Sequence, residues 1–438
     1  MRILWLSGNA GLFVNKKQRT GGGYNGSGWI PSLQKLIISV PENKLALAYI
    51  SHTFHSKEKQ NDTIYYSVYD PPFNGFQKIK KYYGGYKRYN PKKYLNQIED
   101  IIKDFNPDII HLFGLENPLA AILGNTSIPV VVHLQGLLGP CNNAFFPVGF
   151  NKSSFIFPFT IKEWILRNGY IFAKNSIHVR GEIESSIFKK VRYVMGRTKW
   201  DFQVSQLMAP QTKYFHVDEV LREPFYEHAG KWKYHKAQEL KIITTISNTI
   251  YKGLDTVLKT AKILKAHSNI PFKWQIIGIS SKDPLVPFFE RRLNITSKEV
   301  NIAYVGVLDA SQLCNKLFDS HVYVHPSYID NSPNSICEAQ IVGIPVIGTY
   351  VGGIPSLITN EQTGFLVPAN APYELAYLLK KCYYEPELFS NIGKQGYLDA
   401  FQRHNKSKIL KDLTDTYHNI INNQQNSYKI AQNNIKNF

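Results

Sequence analysis

The feature that most constrains the fold of this chain is an alternation of strand and helix patterns that runs through the sequence twice. The first series opens with the apolar run RILWLS at residues 2–7 and continues through two further apolar strands at 106–114 and 128–136. The second series begins at Leu240 with LKIITTIS, followed by an apolar stripe at helical spacing from Leu254 to Leu264. Alternation of this kind is typical of parallel sheets covered by helices on both faces, so we predict an α/β fold.

The restart at Leu240 also predicts two domains. A chain of 438 residues is too long for a single core, because single cores stop growing near about 250 residues. We place an N-terminal Rossmann-like domain at 1–235 and a C-terminal one at 236–395, joined by the polar, irregular segment 222–238. In such sheets ligands bind at the carboxyl ends of the strands, which places Gly114, His133 and Gln135 at the functional edge.

Composition excludes several classes of protein. Four cysteines far apart, Cys141, Cys314, Cys337 and Cys382, form no Cys-x-x-Cys pair, which argues against a disulfide framework or a zinc site. The sequence starts directly with a strand pattern, and no apolar run approaches the length of a membrane helix. We therefore expect a cytoplasmic protein without a metal site.

Positive charge is concentrated in the first half. The net charge is +18, and residues 1–235 hold 30 basic and 17 acidic side chains, so that most of the excess lies there. A basic surface suits nucleic acid, an anionic membrane or phosphorylated ligands, and a merely soluble basic surface is a further alternative. No nucleic-acid-binding module accompanies the charge, so we expect no nucleic-acid partner.

An aromatic stretch at 138–172 interrupts the alternation of strands and helices. It carries Lys152, Lys162 and Arg167 among many phenylalanines. Two interpretations stay open with equal weight: an amphipathic surface for an anionic membrane or a lipid-linked acceptor, and an insertion packed on its own domain.

The densest motif runs from His325 to Pro368. Its two acids, Asp330 and Glu338, are separated by seven residues and are followed by Ala339, Gly343-x-Pro345 and the Gly352-Gly353 turn. This order resembles the donor-site signature of glycosyltransferase family 4, also called glycosyltransferase group 1. The resemblance implies a GT-B fold, with two Rossmann-like domains facing across a cleft and a C-terminal helix, at about 400–425, that crosses back to the first domain.

The resemblance also implies roles for these residues. Glu338 would hold the ribose of a nucleotide sugar, and Asp330 would lie against the transferred sugar. Carboxylates accept hydrogen bonds from vicinal hydroxyls, whereas a helix N-terminus receives phosphate. The predicted donor-binding set is Lys252, Asp330, Asn331, Ser332, Asn334, Ser335, Glu338, Gly352 and Gly353, with Asp330, Glu338 and Lys252 as catalytic residues.

Local spacing offers an alternative for Glu338. Ser335 and Glu338 have the Ser-x-x-Glu spacing of a capping box, in which the acid only caps its own helix and needs no ligand. Asp330 departs from the family pattern, which usually has Glu there, and the shorter side chain would suit a different or slightly displaced sugar.

A second segment, SNTIYKGLD, resembles the family's Lys-Gly-x-Asp motif, in which a basic residue contacts the donor diphosphate. Lys252 is the candidate here. The family generally places an Arg five residues earlier, and this chain has Ser247 at that position, so one phosphate charge is missing or comes from elsewhere.

The acceptor side is predicted from weaker signals. Gly21, Gly22 and Gly23 precede a helical pattern, and glycines there would let backbone N–H groups approach a phosphate or a sugar, as in a comparable loop of the family. The triplet lacks the GxGxxG spacing of a dinucleotide site. His133 ends a strand at the functional edge, where family members often have a His near the sugar.

The implied activity is a metal-independent, retaining transfer of a hexose from a nucleotide-sugar donor to a hydroxyl of a glycan or lipid-linked acceptor in surface polysaccharide synthesis. No cofactor is expected, and peripheral contact with the inner face of the membrane is a further hypothesis. The alternatives are a degenerate GT-B protein that only binds nucleotide and another GT-B enzyme, such as a sugar-nucleotide epimerase.

Overall fold

The computed structural model describes residues 1–13, 28–52, 57–70, 91–155, 170–235 and 238–436. Within these ranges the chain forms two β-sheets, each flanked by helices. The glycine triplet at 21–23 lies outside the described residues, as do Lys162 and Arg167.

The first sheet has eight strands in the order β3-β4-β2-β1-β5-β6-β7-β8. All neighbours are parallel except the short edge strand β3. The strands are β1 (Arg2–Ser7), β2 (Lys44–Ser51), β3 (Glu58–Gln60), β4 (Thr63–Tyr69), β5 (Ile109–Phe113), β6 (Val130–His133), β7 (Tyr193–Gly196) and β8 (Lys213–His216).

Helices on both faces cover this sheet because its central strands are apolar on both sides, as β5 with five buried residues in succession illustrates. They are α1 (Trp29–Ile38), α2 (Pro91–Phe105), α3 (Leu138–Asn143), α4 (Tyr170–Phe188) and α5 (Lys199–Met208).

The second sheet has six strands, all parallel, in the order β11-β10-β9-β12-β13-β14. This is the doubly wound order, whose direction reverses between β9 and β12. The strands are β9 (Leu240–Thr245), β10 (Phe272–Ile277), β11 (Ile302–Gly306), β12 (Val322–His325), β13 (Val346–Thr349) and β14 (Phe365–Val367).

The remaining helices join and cover the second sheet. They are α6 (Glu223–Glu227), α7 (Leu254–His267), α8 (Leu285–Leu293), α9 (Ala310–Phe318), α10 (Asn334–Val342), α11 (Pro372–Tyr384) and α12 (Pro386–Arg403), whereas α13 (Lys406–Lys436) packs against the first sheet. Short 3-10 turns at Ile250–Lys252 and Ile354–Ser356 follow β9 and β13.

The chain crosses back to the first sheet at its C-terminal end, as predicted. The helix break falls after Arg403, and Ile409, Leu413 and Tyr417 of α13 are buried in the core that also contains Trp5 of β1. The indole N–H of Trp5 donates to the Tyr417 hydroxyl at 3.3 Å. The N-terminal core is therefore completed by the last helix of the chain.

In the part that the structure describes, the aromatic stretch does not pack only on its own domain, so that interpretation is wrong there, whereas contact with a membrane stays a prediction. Phe145 and Phe155 are buried in the core of the second sheet, and Phe155 stacks on Phe288 of α8 with ring centroids 4.5 Å apart. Tyr170, the first residue of α4, also contacts Phe288. Because Lys174 of the first domain also lies over the Phe145 ring, these rings contact both halves of the molecule. They form an aromatic clasp, residues 145–155 with Tyr170, between the two halves of the molecule.

Candidate functional site

The carboxyl ends of strands from both sheets meet in one interdomain region. Thr198, after β7, donates its hydroxyl to Asn331, after β12, at 2.7 Å. Cys141 of α3 lies beside Tyr251, which follows β9. Because β9 and β12 flank the point where the strand order reverses, this is the position at which open α/β sheets bind ligands.

Lys252 and Asp330 lie together at this point, as the motifs predicted. Lys252 ends the 3-10 turn after β9, and its Nζ is 2.6 Å from Oδ2 of Asp330. Gly253, the N-cap residue of α7, has a positive φ of 82°, and a Cβ there would lie 2.1 Å from the carbonyl oxygen of Pro326. Only glycine allows this close approach, which brings Lys252 next to the loop that carries Asp330.

His325 is a second partner of Asp330 that the sequence analysis missed. Its Nε2 donates to Asp330 Oδ2 at 3.0 Å from the buried end of β12. Burial works to raise the pKa of Asp330, but Lys252 and then His325 outweigh it and hold the pKa well below its usual range. Asp330 is therefore an anion with a fixed orientation. The available signal was a His at the end of an apolar strand, five residues before the acid.

Glu338 does not form a capping box, so the local alternative for this residue is wrong. Helix α10 begins at Asn334 with Pro333 as its N-cap residue and no side-chain cap. Both oxygens of Glu338 instead accept from Arg222, Oε1 from Nε at 2.6 Å and Oε2 from Nη2 at 2.8 Å. Burial raises the pKa of Glu338 above its ordinary value, and the Arg222 guanidinium opposes this effect.

Arg222 is the other functional candidate that the sequence analysis missed. It precedes α6 in the connecting segment, which was predicted to be a polar hinge. The described part of the segment packs more closely than its composition indicated, because Phe225 and Trp232 are buried in the core of the second sheet. Two large aromatic residues in an otherwise polar linker were the signal of this packing.

Asn331 and Ser332 connect the two domains through their side chains. Asn331 accepts from Thr198 and donates to Asp201 at 3.1 Å. Ser332 donates to the buried carboxylate of Glu219 at 2.6 Å. Both were predicted to bind the donor, whereas their side chains here already have protein partners.

The Gly352-Gly353 turn packs against the backbone of Asp330. A Cβ on Gly352 would lie 1.9 Å from the Asp330 carbonyl oxygen, and that oxygen accepts from the Gly353 N–H at 3.0 Å. The turn therefore supports the loop that carries Asp330, and its Gly353 N–H has a partner. Asn334 and Ser335 lie in the first turn of α10, where the Oδ1 of Asn334 is buried without a partner among the described residues.

Ser247, at the position where a basic residue was expected, supplies no charge. Its hydroxyl donates to Thr249 at 3.1 Å in an exposed loop. The cations that the structure places at the two predicted acids are therefore Lys252 and Arg222.

His133 lies fully buried at the end of β6. Its Nδ1 is 3.2 Å from Nε2 of His111, whose Nδ1 is 2.5 Å from the Tyr417 hydroxyl. Its own Nε2 has no partner among the described residues. Burial lowers the pKa of His111 to about 3 and lowers that of His133 as well, so both rings are neutral. Trp29 packs on the His133 ring at 4.9 Å.

An unpartnered cluster, Glu116, Asn142, Arg180 and Glu184, lies on the same side. Each of the four has a buried polar atom without a hydrogen-bond partner in the described part of the chain. Glu184 is 1% exposed and accepts from the backbone N–H of Leu138 at 2.8 Å, which leaves its Oε1 unused. Burial raises the pKa of Glu184 to about 7, with a further contribution from Glu116. Buried polar atoms without partners are uncommon in native proteins, so such a group indicates a place for a polar ligand.

The architecture is that of the GT-B proteins. The structure of sucrose-phosphate synthase from Thermosynechococcus elongatus aligns over 96% of this chain and 98% of that one, with a TM-score of 0.70 and 14% identity. Anabaena Alr3699/HepE in complex with UDP and glucose aligns over 94% and 98%, with a TM-score of 0.57 and 13% identity. At these identities the similarity shows the fold.

The second half of the chain resembles a known protein family. Residues 229–399 match the model of glycosyl transferases group 1. A provisionally named colanic acid biosynthesis glycosyltransferase, WcaL of Escherichia coli (strain K12), is 30% identical over 153 residues, which is 33% of this chain and 36% of the relative. The chain thus matches about a third of the length of this relative. Among the helices that the structure describes, none is long and apolar enough to cross a membrane.

Proposed function

We propose that this protein is a retaining glycosyltransferase that moves a hexose from a nucleotide-sugar donor to a hydroxyl of a glycan or lipid-linked acceptor. The observation that carries the proposal is the pair of acids at the switch point of a group 1 domain, each held by a cation: Asp330 by Lys252 and Glu338 by Arg222. The relative WcaL, named for colanic acid biosynthesis, supports a role in surface polysaccharide synthesis.

The donor fits the second domain because its chemical groups match the groups at this point. The ribose and hexose carry hydroxyls, which donate to carboxylates such as Glu338 and Asp330. The diphosphate is an anion, which Lys252 and the first turn of α10 at Asn334 and Ser335 would stabilise. The complex of HepE with UDP and glucose, on the same fold, supports a nucleotide sugar as the donor class.

The acceptor fits the first domain. The unpartnered cluster offers two carboxyl groups and a guanidinium. The buried His133 lies at the end of β6. Hydroxyl groups of a sugar both donate and accept hydrogen bonds, so they suit this mixture better than a phosphate, which two carboxylates would repel. The first domain would therefore hold the acceptor sugar with its hydroxyl directed toward Asp330.

In the proposed reaction the bond between the anomeric carbon and the diphosphate oxygen breaks as the bond to the acceptor oxygen forms on the same face. Negative charge develops on the leaving diphosphate, where Lys252 stabilises it in place of a divalent ion. The acceptor proton passes to the departing phosphate. Closure of the two domains would exclude water and so suppress hydrolysis of the donor.

Calorimetric titration with UDP, GDP, dTDP and ADP, without divalent metal, tests the donor site. We expect one nucleotide to bind selectively and the Glu338→Gln variant to lose this binding by about tenfold or more. Glu223→Gln is a matched control, because Glu223 pairs with Lys406 on the surface of the same interdomain region.

Binding of none of the four nucleotides by a folded protein would favour the degenerate alternative. With the nucleotide known, NMR of the product linkage tests retention, and release of the nucleoside diphosphate that needs no acceptor would favour an epimerase or a hydrolase. Activity that disappears in EDTA and returns with Mg²⁺ would contradict metal independence.

A further inference from the structure

Arg222 reaches the site from outside both sheets. It belongs to the connecting segment between β8 and β9, and its side chain extends to Glu338 of α10, 116 residues further along the chain. Its guanidinium carbon lies 5.0 Å from the centre of the Phe225 ring, which supports it from the other side. About a quarter of the side chain, 23%, is exposed to solvent. The guanidinium is therefore positioned by protein on two sides and open on another.

The first domain also approaches Arg222. A Cβ on Gly28, the residue before α1, would lie 2.6 Å from Cδ of Arg222. Gly28 has an ordinary helical backbone with φ of −56°, so glycine is explained here by space and not by conformation. The guanidinium thus lies where the start of α1 meets α10, between the two domains.

The charges at the site are balanced in pairs without a ligand. Lys252 neutralises Asp330 and Arg222 neutralises Glu338, while Ser247 carries no charge. A buried carboxylate without a partner is costly, so each acid needs its cation until a ligand group replaces it. A nucleotide sugar brings hydroxyls for the carboxylates and a diphosphate of at least two negative charges for the cations. Each ion pair can therefore exchange partners when the ligand enters.

We infer that Arg222 is a diphosphate-binding residue that holds Glu338 in the empty site and passes to a phosphate oxygen when the ribose takes its place. This inference rests on the proposed function, since it concerns the same donor. It supplies the second phosphate charge that Ser247 lacks. Arginine suits this role because its planar guanidinium can form two parallel hydrogen bonds to a carboxylate or to a phosphate with the same geometry.

A purely structural role gives a different expectation. If Arg222 only orients Glu338, removing it weakens contact with the ribose, and a nucleoside without phosphate loses affinity as much as the diphosphate does. If Arg222 exchanges partners, its loss leaves Glu338 free for the ribose. The nucleoside then binds unchanged or more tightly, and the diphosphate alone binds more weakly.

The test measures the affinity ratio of nucleoside diphosphate to nucleoside, with whichever base the wild-type protein selects. We expect Arg222→Gln to lower this ratio about tenfold while the nucleoside affinity stays within about threefold of wild type. Arg222→Lys should lower this ratio less than Arg222→Gln does, because lysine retains the positive charge but lacks the planar guanidinium. Lys406→Gln, which removes a surface cation paired with Glu223, should leave the ratio unchanged.

The outcomes separate the two proposals. The wild-type protein could bind the nucleoside diphosphate far better than the nucleoside, and Arg222→Gln could leave this ratio unchanged. That result overturns the role of Arg222 and leaves the proposed function intact. Equal loss of both affinities in Arg222→Gln, with a native circular dichroism spectrum, also overturns it. A folded wild-type protein that binds neither ligand overturns both proposals.

Discussion

The two sides of the interdomain region differ in how their polar groups are satisfied. On the side of the second sheet every acid predicted to bind donor has a cation, with N–O distances of 2.6 Å in both pairs. On the side of the first sheet Glu116, Arg180 and Glu184 each keep a buried atom that has no partner among the residues that the structure describes. The two predicted acids on the side of the second sheet are neutralised by cations, whereas the carboxyl groups on the side of the first sheet keep hydrogen-bonding capacity that a ligand can use.

This difference fits two kinds of ligand. A diphosphate is the same in every nucleotide sugar, so cations that are already in place can bind it with little loss of specificity for the donor. A sugar acceptor is recognised by the pattern of its hydroxyls, and unpaired buried polar groups discriminate strongly against a ligand that does not match them. We therefore expect changes on the side of the second sheet to affect turnover and changes on the side of the first sheet to affect acceptor selection.

The largest effect is expected at Lys252. Lys252→Gln removes the cation closest to Asp330, and we expect turnover to fall by about 10²–10³-fold because the leaving charge loses its stabilising partner. Lys259→Gln is the matched control: Lys259 is as exposed as Lys252, 23% against 22%, and also pairs with an aspartate. Steady-state kinetics should show a loss in the first variant only. Equal losses of turnover in the two variants would mean that Lys252 affects turnover no more than the lysine of another buried ion pair in this domain.

A second effect concerns the stability of the first domain against acid. Burial depresses the pKa of His111, so the unfolded chain binds a proton below about pH 6.5 that the folded protein does not. Stability from this group is complete at neutral pH and is lost as the pH falls. Between pH 6.5 and 5 the loss should reach at most about 2 kcal/mol. Urea unfolding of His111→Gln should show a smaller slope with pH, and an unchanged slope would contradict the neutral buried ring.

A third effect concerns acceptor recognition at Glu184. Glu184→Gln should raise the KM for acceptor by about tenfold without changing donor binding, because an oxygen of the unpartnered cluster becomes a donor. Burial raises the pKa of Glu184 to about 7, so the carboxylate forms as the pH rises through 7. The KM for acceptor should therefore fall between pH 6 and 8 in the wild-type protein only. Glu182→Gln, on an exposed position of the same helix, is the control.

The smallest effect should come from Ser332. Its hydroxyl donates to Glu219 across the domains, so Ser332→Ala should cost about 1 kcal/mol of stability. The KM for donor should stay unchanged, since the side chain already has a protein partner. A marked increase in that KM, with stability unchanged, would return Ser332 to the donor-binding set.

The sequence predicted the fold, and it indicated that Lys252, Asp330 and Glu338 belong to one region, because both depend on local patterns. Strand and helix periodicity alone indicated two doubly wound sheets, and Asp330 and Glu338 lie within a single continuous motif. Lys252 follows a strand that borders the same switch point, which is why its contact with Asp330 could be expected.

The other contacts join distant parts of the chain without a motif. Arg222 and Glu338 are 116 residues apart, and nothing in a polar linker distinguishes a guanidinium that binds a carboxylate from one in solvent. Glu116, Asn142, Arg180 and Glu184 come from three separate segments whose packing depends on α3 and α4. The aromatic stretch was misjudged for the same reason, since its partner Phe288 belongs to the other domain.

The aromatic clasp has a consequence for motion. The halves of the molecule are joined by the connecting segment and α13, and separately by Phe155 stacked on Phe288. Once the hydrogen bonds that Asn331 and Ser332 make between the domains are broken, a rigid body held at these two attachments keeps one degree of freedom, a rotation about the line through them. As long as the two rings stay stacked, any opening follows that single axis, and ligands can exchange only through the gap that this rotation creates.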